Sequence, residues 1–182
     1  AQCVMYRGPD AEHVGKEICF AFTEDEVRIV DVTDLANAVE LASLDYGAVY
    51  YAHQGWINCE HTALFVDDEL DEKQSGDSNT KTYVIDVRDL DDPRVLTVHE
   101  SHLTSIDHNQ YVCGAYLYQA NYEAGLRILD VSRVFEDAAT MREVAYFDTH
   151  PASTAASFNG AWNVYPFFDS GRVIVNAIGG GV

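Results

Sequence analysis

Positive charge is scarce in this chain: 11 Lys and Arg stand against 30 Asp and Glu, for a formal charge of −19 over 182 residues. A field of that sign repels phosphate backbones and anionic headgroups, so nucleic acid is not an expected partner. Long apolar runs are missing as well. None approaches the roughly 18 residues of a membrane-spanning helix, and no membrane span is expected. The four cysteines, Cys3, Cys19, Cys59 and Cys113, never form the C-x-x-C spacing of a zinc ribbon or redox site. No serine lies in a Gly-x-Ser-x-Gly elbow, and Gly179-Gly180-Gly181 lacks the Lys-Ser/Thr of a P-loop and reads as a turn. Ala1-Gln2 opens no basic, apolar leader, which leaves a mature secreted form, an excised fragment or an intracellular protein open.

What is present is a repeat. Val27-Arg28-Ile29-Val30-Asp31-Val32-Thr33, Thr82-Tyr83-Val84-Ile85-Asp86-Val87-Arg88 and Leu126-Arg127-Ile128-Leu129-Asp130-Val131-Ser132 share one pattern, an apolar run closed by Asp-Val and a turn. Their aspartates are 55 and 44 residues apart, about one four-stranded blade each, with an insertion in the first interval. Each aspartate ends its strand where its side chain can accept backbone amides of the turn. The other strand types return in the same order. Ile18–Phe22, Leu64–Val66 and Leu117–Ala120 precede the anchors, and Val39–Leu44, Arg94–Val98 and Glu143–Phe147 follow them. A fourth type carries an aromatic near its centre: His53-Gln54-Gly55-Trp56, His108-Asn109-Gln110-Tyr111 and Asn159-Gly160-Ala161-Trp162.

Anchor strands that are apolar on both faces suit a sheet sandwiched between two neighbours. The expected fold class is therefore all-β, a β-propeller segment of four-stranded antiparallel blades. The expected units are a partial blade over 1–47 holding strands two to four, full blades over 48–100 and 101–150, and a partial blade over 151–182. One helical turn is expected between Val134 and Met141, and Trp56, Tyr111 and Trp162 are expected as core wedges between blades. Because a ring needs about four to eight blades, the arc is expected to be a fragment or to be completed by other chains, with self-association or a protein partner at the open blade edges.

Cys3 and Cys19 bracket the turn-rich Tyr6-Arg7-Gly8-Pro9-Asp10, which would bring the two thiols together at the base of a loop, so a disulfide is expected. Cys59 and Cys113 occupy nearly matching repeat positions and are expected as buried thiols, pairing across blades being the alternative. An even cysteine count favours an oxidising compartment.

The segments Gly8-Pro9-Asp10, Glu17-Ile18-Cys19-Phe20, His53-Gln54-Gly55-Trp56, Phe65-Val66-Asp67-Asp68-Glu69, Asp107-His108-Asn109, Gln119-Ala120-Asn121-Tyr122 and Phe158-Asn159-Gly160-Ala161-Trp162 together resemble the choice-of-anchor B proteins with LVIVD-type repeats. The resemblance implies a secreted or surface-tethered bacterial β-propeller. It implies no enzymatic activity.

Innermost strands of a propeller line its channel, so the residues that begin them converge. Those are His53, Asp107, His108, Asn109 and Asn159, a donor set suited to calcium or another divalent metal; strand capping by each polar group is the plainer alternative. Asp67, Glu69 and Asp71 would share one face of an extended strand and repel unless a cation neutralises them, whereas a solvated acidic loop asks for nothing. An EF-hand does not fit, because its Gly and bidentate Glu are out of place. Two functions follow. One is an extracellular or cell-surface binding or structural module without catalysis. The other is a metal-dependent hydrolase at the channel mouth, with His53 or His108 as ligand or base and Asp107 or Glu69 as companion carboxylate. A hydrolase needs three converging ligands and an open position; a scaffold needs none.

Overall fold

The computed structural model describes residues 1–47, 49–75, 79–136 and 141–182. The strands form four antiparallel sheets. β1 (Gln2–Met5), β2 (Glu17–Phe22), β3 (Val27–Asp31) and β4 (Val39–Leu44) make the first, and β5 (Ala52–Ile57), β6 (Ala63–Asp68), β7 (Lys81–Asp86) and β8 (Arg94–Glu100) the second. The third holds β9 (Asn109–Cys113), β10 (Tyr116–Ala120), β11 (Leu126–Asp130) and β12 (Arg142–Phe147), and the fourth pairs β13 (Gly160–Tyr165) with β14 (Ile174–Ile178). Strand order follows chain order in every sheet. The first strands of successive sheets adjoin, β5 against β9 and β9 against β13, as blades of a propeller do around an axis.

The first sheet has four strands rather than the expected three. β1 was not legible because Gln2-Cys3-Val4-Met5 is short and lacks the central aromatic of its counterparts. Cys3 pairs with Cys19 in register across β1 and β2, and the two form a disulfide. Cys59 and Cys113 are both free thiols; Cys59 is exposed, so neither buried thiols nor a cross-blade bridge describes the pair. Among the described residues the one α-helix is α1 (Asp71–Gln74), and Leu35–Asn37 form a short 3-10 helix. Of the turn expected between Val134 and Met141, residues 137–140 lie outside the described residues.

Two-sided burial of the central strands is visible residue by residue. On β6 and β7, Leu64, Val66 and Ile85 pack with Phe20 and Ile29 of the first sheet. The alternating Ala63, Phe65 and Val84 pack with Leu117 and Leu129 of the third. The period of two thus sends each side chain into a different inter-blade core. The outermost strands stay exposed, Val39 and Glu40 on β4 and Tyr146 and Phe147 on β12 among them.

Asp31, Asp86 and Asp130 each accept the backbone N–H two residues on, from Thr33, Arg88 and Ser132, at 3.0 Å. Hydrogen bonding to the ionised form holds all three below the usual carboxylate range. Neighbouring blades are latched by the turn after their second strand. Glu24 and Ala52 exchange backbone hydrogen bonds, and Ala161 N–H donates to the Tyr122 carbonyl at 2.7 Å. Glu24 and Tyr122 both take positive φ there. Gly160 also has positive φ, and a Cβ on it would lie 2.3 Å from the Tyr122 carbonyl oxygen, so the latch requires glycine. Trp56 and Tyr111 meet edge-on with ring centroids 4.9 Å apart. Trp162 is 45% exposed and is no buried wedge.

Candidate metal centre

His53 is the second residue of β5, Glu69 directly follows β6, and His108 directly precedes β9. Strand 1 of each blade begins at the same end where strand 2 finishes, so three segments from two blades deliver these side chains to one point. One donor atom from each lies within 4.8 Å of the others. His53 Nδ1 is 3.6 Å from one Glu69 carboxylate oxygen and His108 Nε2 is 3.5 Å from the other. Two atoms bound to one tetrahedral ion at about 2.0–2.1 Å stand ~3.3 Å apart. Each histidine–carboxylate spacing lies within a few tenths of an ångström of that value.

Outer contacts fix the orientation of each group. His108 Nδ1 lies 2.6 Å from the Trp162 carbonyl oxygen. A carbonyl only accepts, so Nδ1 carries the proton, and the neutral ring turns the Nε2 lone pair toward the carboxylate. Asn109 donates to the same carbonyl at 3.1 Å. Tyr122 O–H donates to Glu69 Oε1 at 2.7 Å. The His53 and His108 rings stack with centroids 4.5 Å apart, and Trp162 covers His108 at 4.5 Å. Burial lowers the affinity of both imidazoles for a proton; in His108 the neighbouring His53 adds to this, while Glu69 opposes it in both. Neutral rings are what metal ligation requires. His53 and Glu69 keep 24% and 14% of their side-chain surface exposed, so water reaches the centre.

The remaining sequence candidates are placed differently. Asn109 stands beside the trio, with its side-chain amide on the Trp162 carbonyl. Asn159 lies half-buried with its Nδ2 3.4 Å from His150 Nε2, apart from the trio. Asp67 and Asp107 are buried beside the trio without joining it. The acidic stretch is not a solvated loop: after Asp68 the chain turns into α1, which folds Asp71 and Glu72 inward, and Asp67, Asp68, Asp71 and Glu72 are all buried. The roles of Tyr122 and the Trp162 carbonyl had no signal in the sequence, since both act from the adjoining blades. A second triad, Asp10, His13 and Asp91, has its imidazole already engaged, by Asp91 at 2.8 Å and by Lys16 at 3.2 Å, and ties the first sheet to the second.

No family model and no curated protein matches the chain. Among solved structures, a protein from Lactobacillus plantarum superposes with a TM-score of 0.60 at 15% identity, over 88% of this chain and 47% of that one. The periplasmic gluconolactonase of Pseudomonas aeruginosa does so with a TM-score of 0.59 at 13% identity, over 90% of this chain and 48% of that one. The chain spans about half the length of each, and what the likeness shows is the fold: an all-β propeller segment of three four-stranded blades and a two-stranded fourth.

Proposed function

We propose that this propeller is an extracytoplasmic or cell-surface binding module whose ligand is taken at a divalent transition ion held by His53, Glu69 and His108. The observation that carries it is the approach of His108 Nε2 to Glu69 Oε1 at 3.5 Å. With Nδ1–H committed to Trp162, this is a lone pair facing an anionic oxygen, an arrangement that a metal ion between them relieves. Two imidazoles and one carboxylate suit zinc or a neighbouring ion, with the fourth position left to solvent or an incoming ligand. The location is supported by the Cys3–Cys19 disulfide, by a periplasmic protein among the fold's likenesses and by the resemblance to choice-of-anchor B proteins. Partner proteins or further copies of the chain would join at the outer edges of the sheets.

A second function rests on the same open position. An ion held by His53, Glu69 and His108 would lower the pKa of a bound water and so supply the nucleophile for opening a lactone or ester. A gluconolactonase among the solved likenesses makes a sugar lactone the first substrate to try.

Calorimetric titration of the metal-stripped protein with zinc is expected to show one site, weakened at least about 100-fold in Glu69→Gln and His108→Ala. Unchanged zinc affinity in both variants would sink the proposal. Zinc-dependent lactone opening that disappears in Glu69→Gln would favour the hydrolase; binding without turnover would favour the module.

A further inference from the structure

The fourth sheet buries little. It holds only β13 and β14, and every residue of β14 is exposed or half-buried. The buried members of the core it shares with the third sheet are Ala120, Leu126, Ala161 and Val164, whereas Phe65, Leu117 and Leu129 help to fill the core between the second and third. A two-stranded sheet is marginal alone in water. Its docking therefore leans on fastenings other than apolar burial.

Two of those fastenings lead to the histidine centre. Trp162, on β13, turns its carbonyl to His108 Nδ1 at 2.6 Å and sets its ring 4.5 Å from the imidazole. Tyr122 makes the other. Its carbonyl accepts the Ala161 N–H of β13 at 2.7 Å, and its hydroxyl donates to Glu69 Oε1 at 2.7 Å. The side chain between them is 1% exposed and packs edge-on against Phe158 and Trp162, with centroids 5.4 and 6.0 Å apart. His108 is thus tied to the fourth sheet directly, and Glu69 through a single residue.

An ion in the centre strengthens both ties. On His108 Nε2 it withdraws electron density from the ring, which makes Nδ1–H a stronger donor to the Trp162 carbonyl. Between Nε2 and Glu69 it removes the repulsion of lone pair and carboxylate, which otherwise strains the groups that hold each of them.

We infer that occupancy of the centre and docking of the fourth sheet on the third are one coupled equilibrium, in which Tyr122 is the positioning residue that joins the blade latch to Glu69. This coupling rests on the metal reading above and adds that the ion sets how firmly the fourth sheet is held. Such coupling is reciprocal, so a change that loosens the latch without touching a ligand must weaken the ion. Gly160 is the place for it, since a Cβ there would run into the Tyr122 carbonyl.

The test is amide hydrogen exchange of the full chain, chelator-stripped and then saturated with zinc, beside calorimetric zinc titration, both at about pH 8, above the ordinary histidine range. Zinc is expected to slow exchange of the Ala161 and β13–β14 amides about tenfold or more, while those of β2 and β3 change little. Gly160→Ala is expected to bind zinc about tenfold or more weakly with all three ligands in place. Tyr122→Phe keeps the ring and the latch backbone and is expected to lose most of the zinc-dependent slowing. Should Gly160→Ala fail to fold, the wild-type comparison and Tyr122→Phe decide. Zinc bound with exchange in the fourth sheet unaltered would overturn the coupling and leave the metal centre standing; no zinc heat in the wild type would overturn both. A Gly160→Ala protein that exchanges faster in the fourth sheet yet binds zinc as tightly as wild type would also overturn the coupling.

Discussion

Asp68→Ala is expected to destabilise the protein by about 3–5 kcal/mol and to lower its melting temperature by roughly 10 °C. Asp68 ends β6 and turns its carboxylate toward the chain that enters β5. There it accepts the Tyr50 and Tyr51 N–H groups and the Tyr46 hydroxyl, and the Leu70 N–H approaches at 3.4 Å. Removing it strands the N–H groups and a buried phenol without a partner, the case in which a lost hydrogen bond costs its full desolvation. The Tyr46 ring packs on Tyr83 at a tilt with centroids 4.3 Å apart, and Tyr83 donates to Asp71, so displacement of Tyr46 would disturb the buried acidic residues as well. Asp68→Asn retains one acceptor oxygen and should lose less than half as much. Urea and thermal melts of the two variants check the order; an alanine variant as stable as wild type would mean that these donors find water and that the carboxylate is dispensable.

Chelator-treated protein is expected to lose several kcal/mol of stability between pH 5 and pH 9. Burial is the first cause, and neighbouring carboxylates add to it: Asp71 is raised to about 6 and Glu72 to about 9, while Asp67 and Asp107 stand well above the usual carboxylate value. On Asp71 the hydrogen bond with Glu72, then Lys81 and Tyr83, act in the opposite direction. A carboxyl whose affinity for protons is higher folded than unfolded stabilises the fold fully below its unfolded pKa of about 4. That contribution is lost as pH rises through the folded value. The loss therefore begins near pH 4, is steepest up to about pH 6 while Asp71 and Glu72 both contribute, and continues at a shallower slope to about pH 9 with Glu72. A Glu72 proton would be shared with Asp71, so Glu72→Gln should flatten the upper part of the curve. Thermal melts across that range in chelator check this; a melting temperature flat from pH 5 to pH 9 would contradict it.

Much of the architecture was legible because a blade imposes two demands on sequence at once. Its central strands must be apolar on both faces, as Leu64-Phe65-Val66 and Val84-Ile85 are, and its third strand must end in a turn that an aspartate can hold, as Asp31, Asp86 and Asp130 do. β1 escaped because four residues with one face half-exposed carry neither signal. That His53 and His108 would meet was legible, since strand order alone brings strand beginnings to one end, whereas Glu69, which follows the end of β6, was expected on the acidic face with Asp67 and Asp71. What fixes their orientation was not legible. The Trp162 carbonyl is backbone, and the Tyr122 hydroxyl arrives from a neighbouring blade, on a residue that adopts positive φ in its latch. The inward fold of Asp71 and Glu72 was hidden for another reason. Alternating acids read as a solvated strand, whereas a helical turn repositions them with a different period.

The most direct measurement of the central claim is anomalous scattering from a crystal of zinc-loaded protein. The account predicts a single strong zinc peak between His108 Nε2, His53 Nδ1 and the Glu69 carboxylate, at about 2.0–2.2 Å from each. A crystal holding zinc only at exposed surface carboxylates, with the three side chains in place and nothing between them, would contradict it.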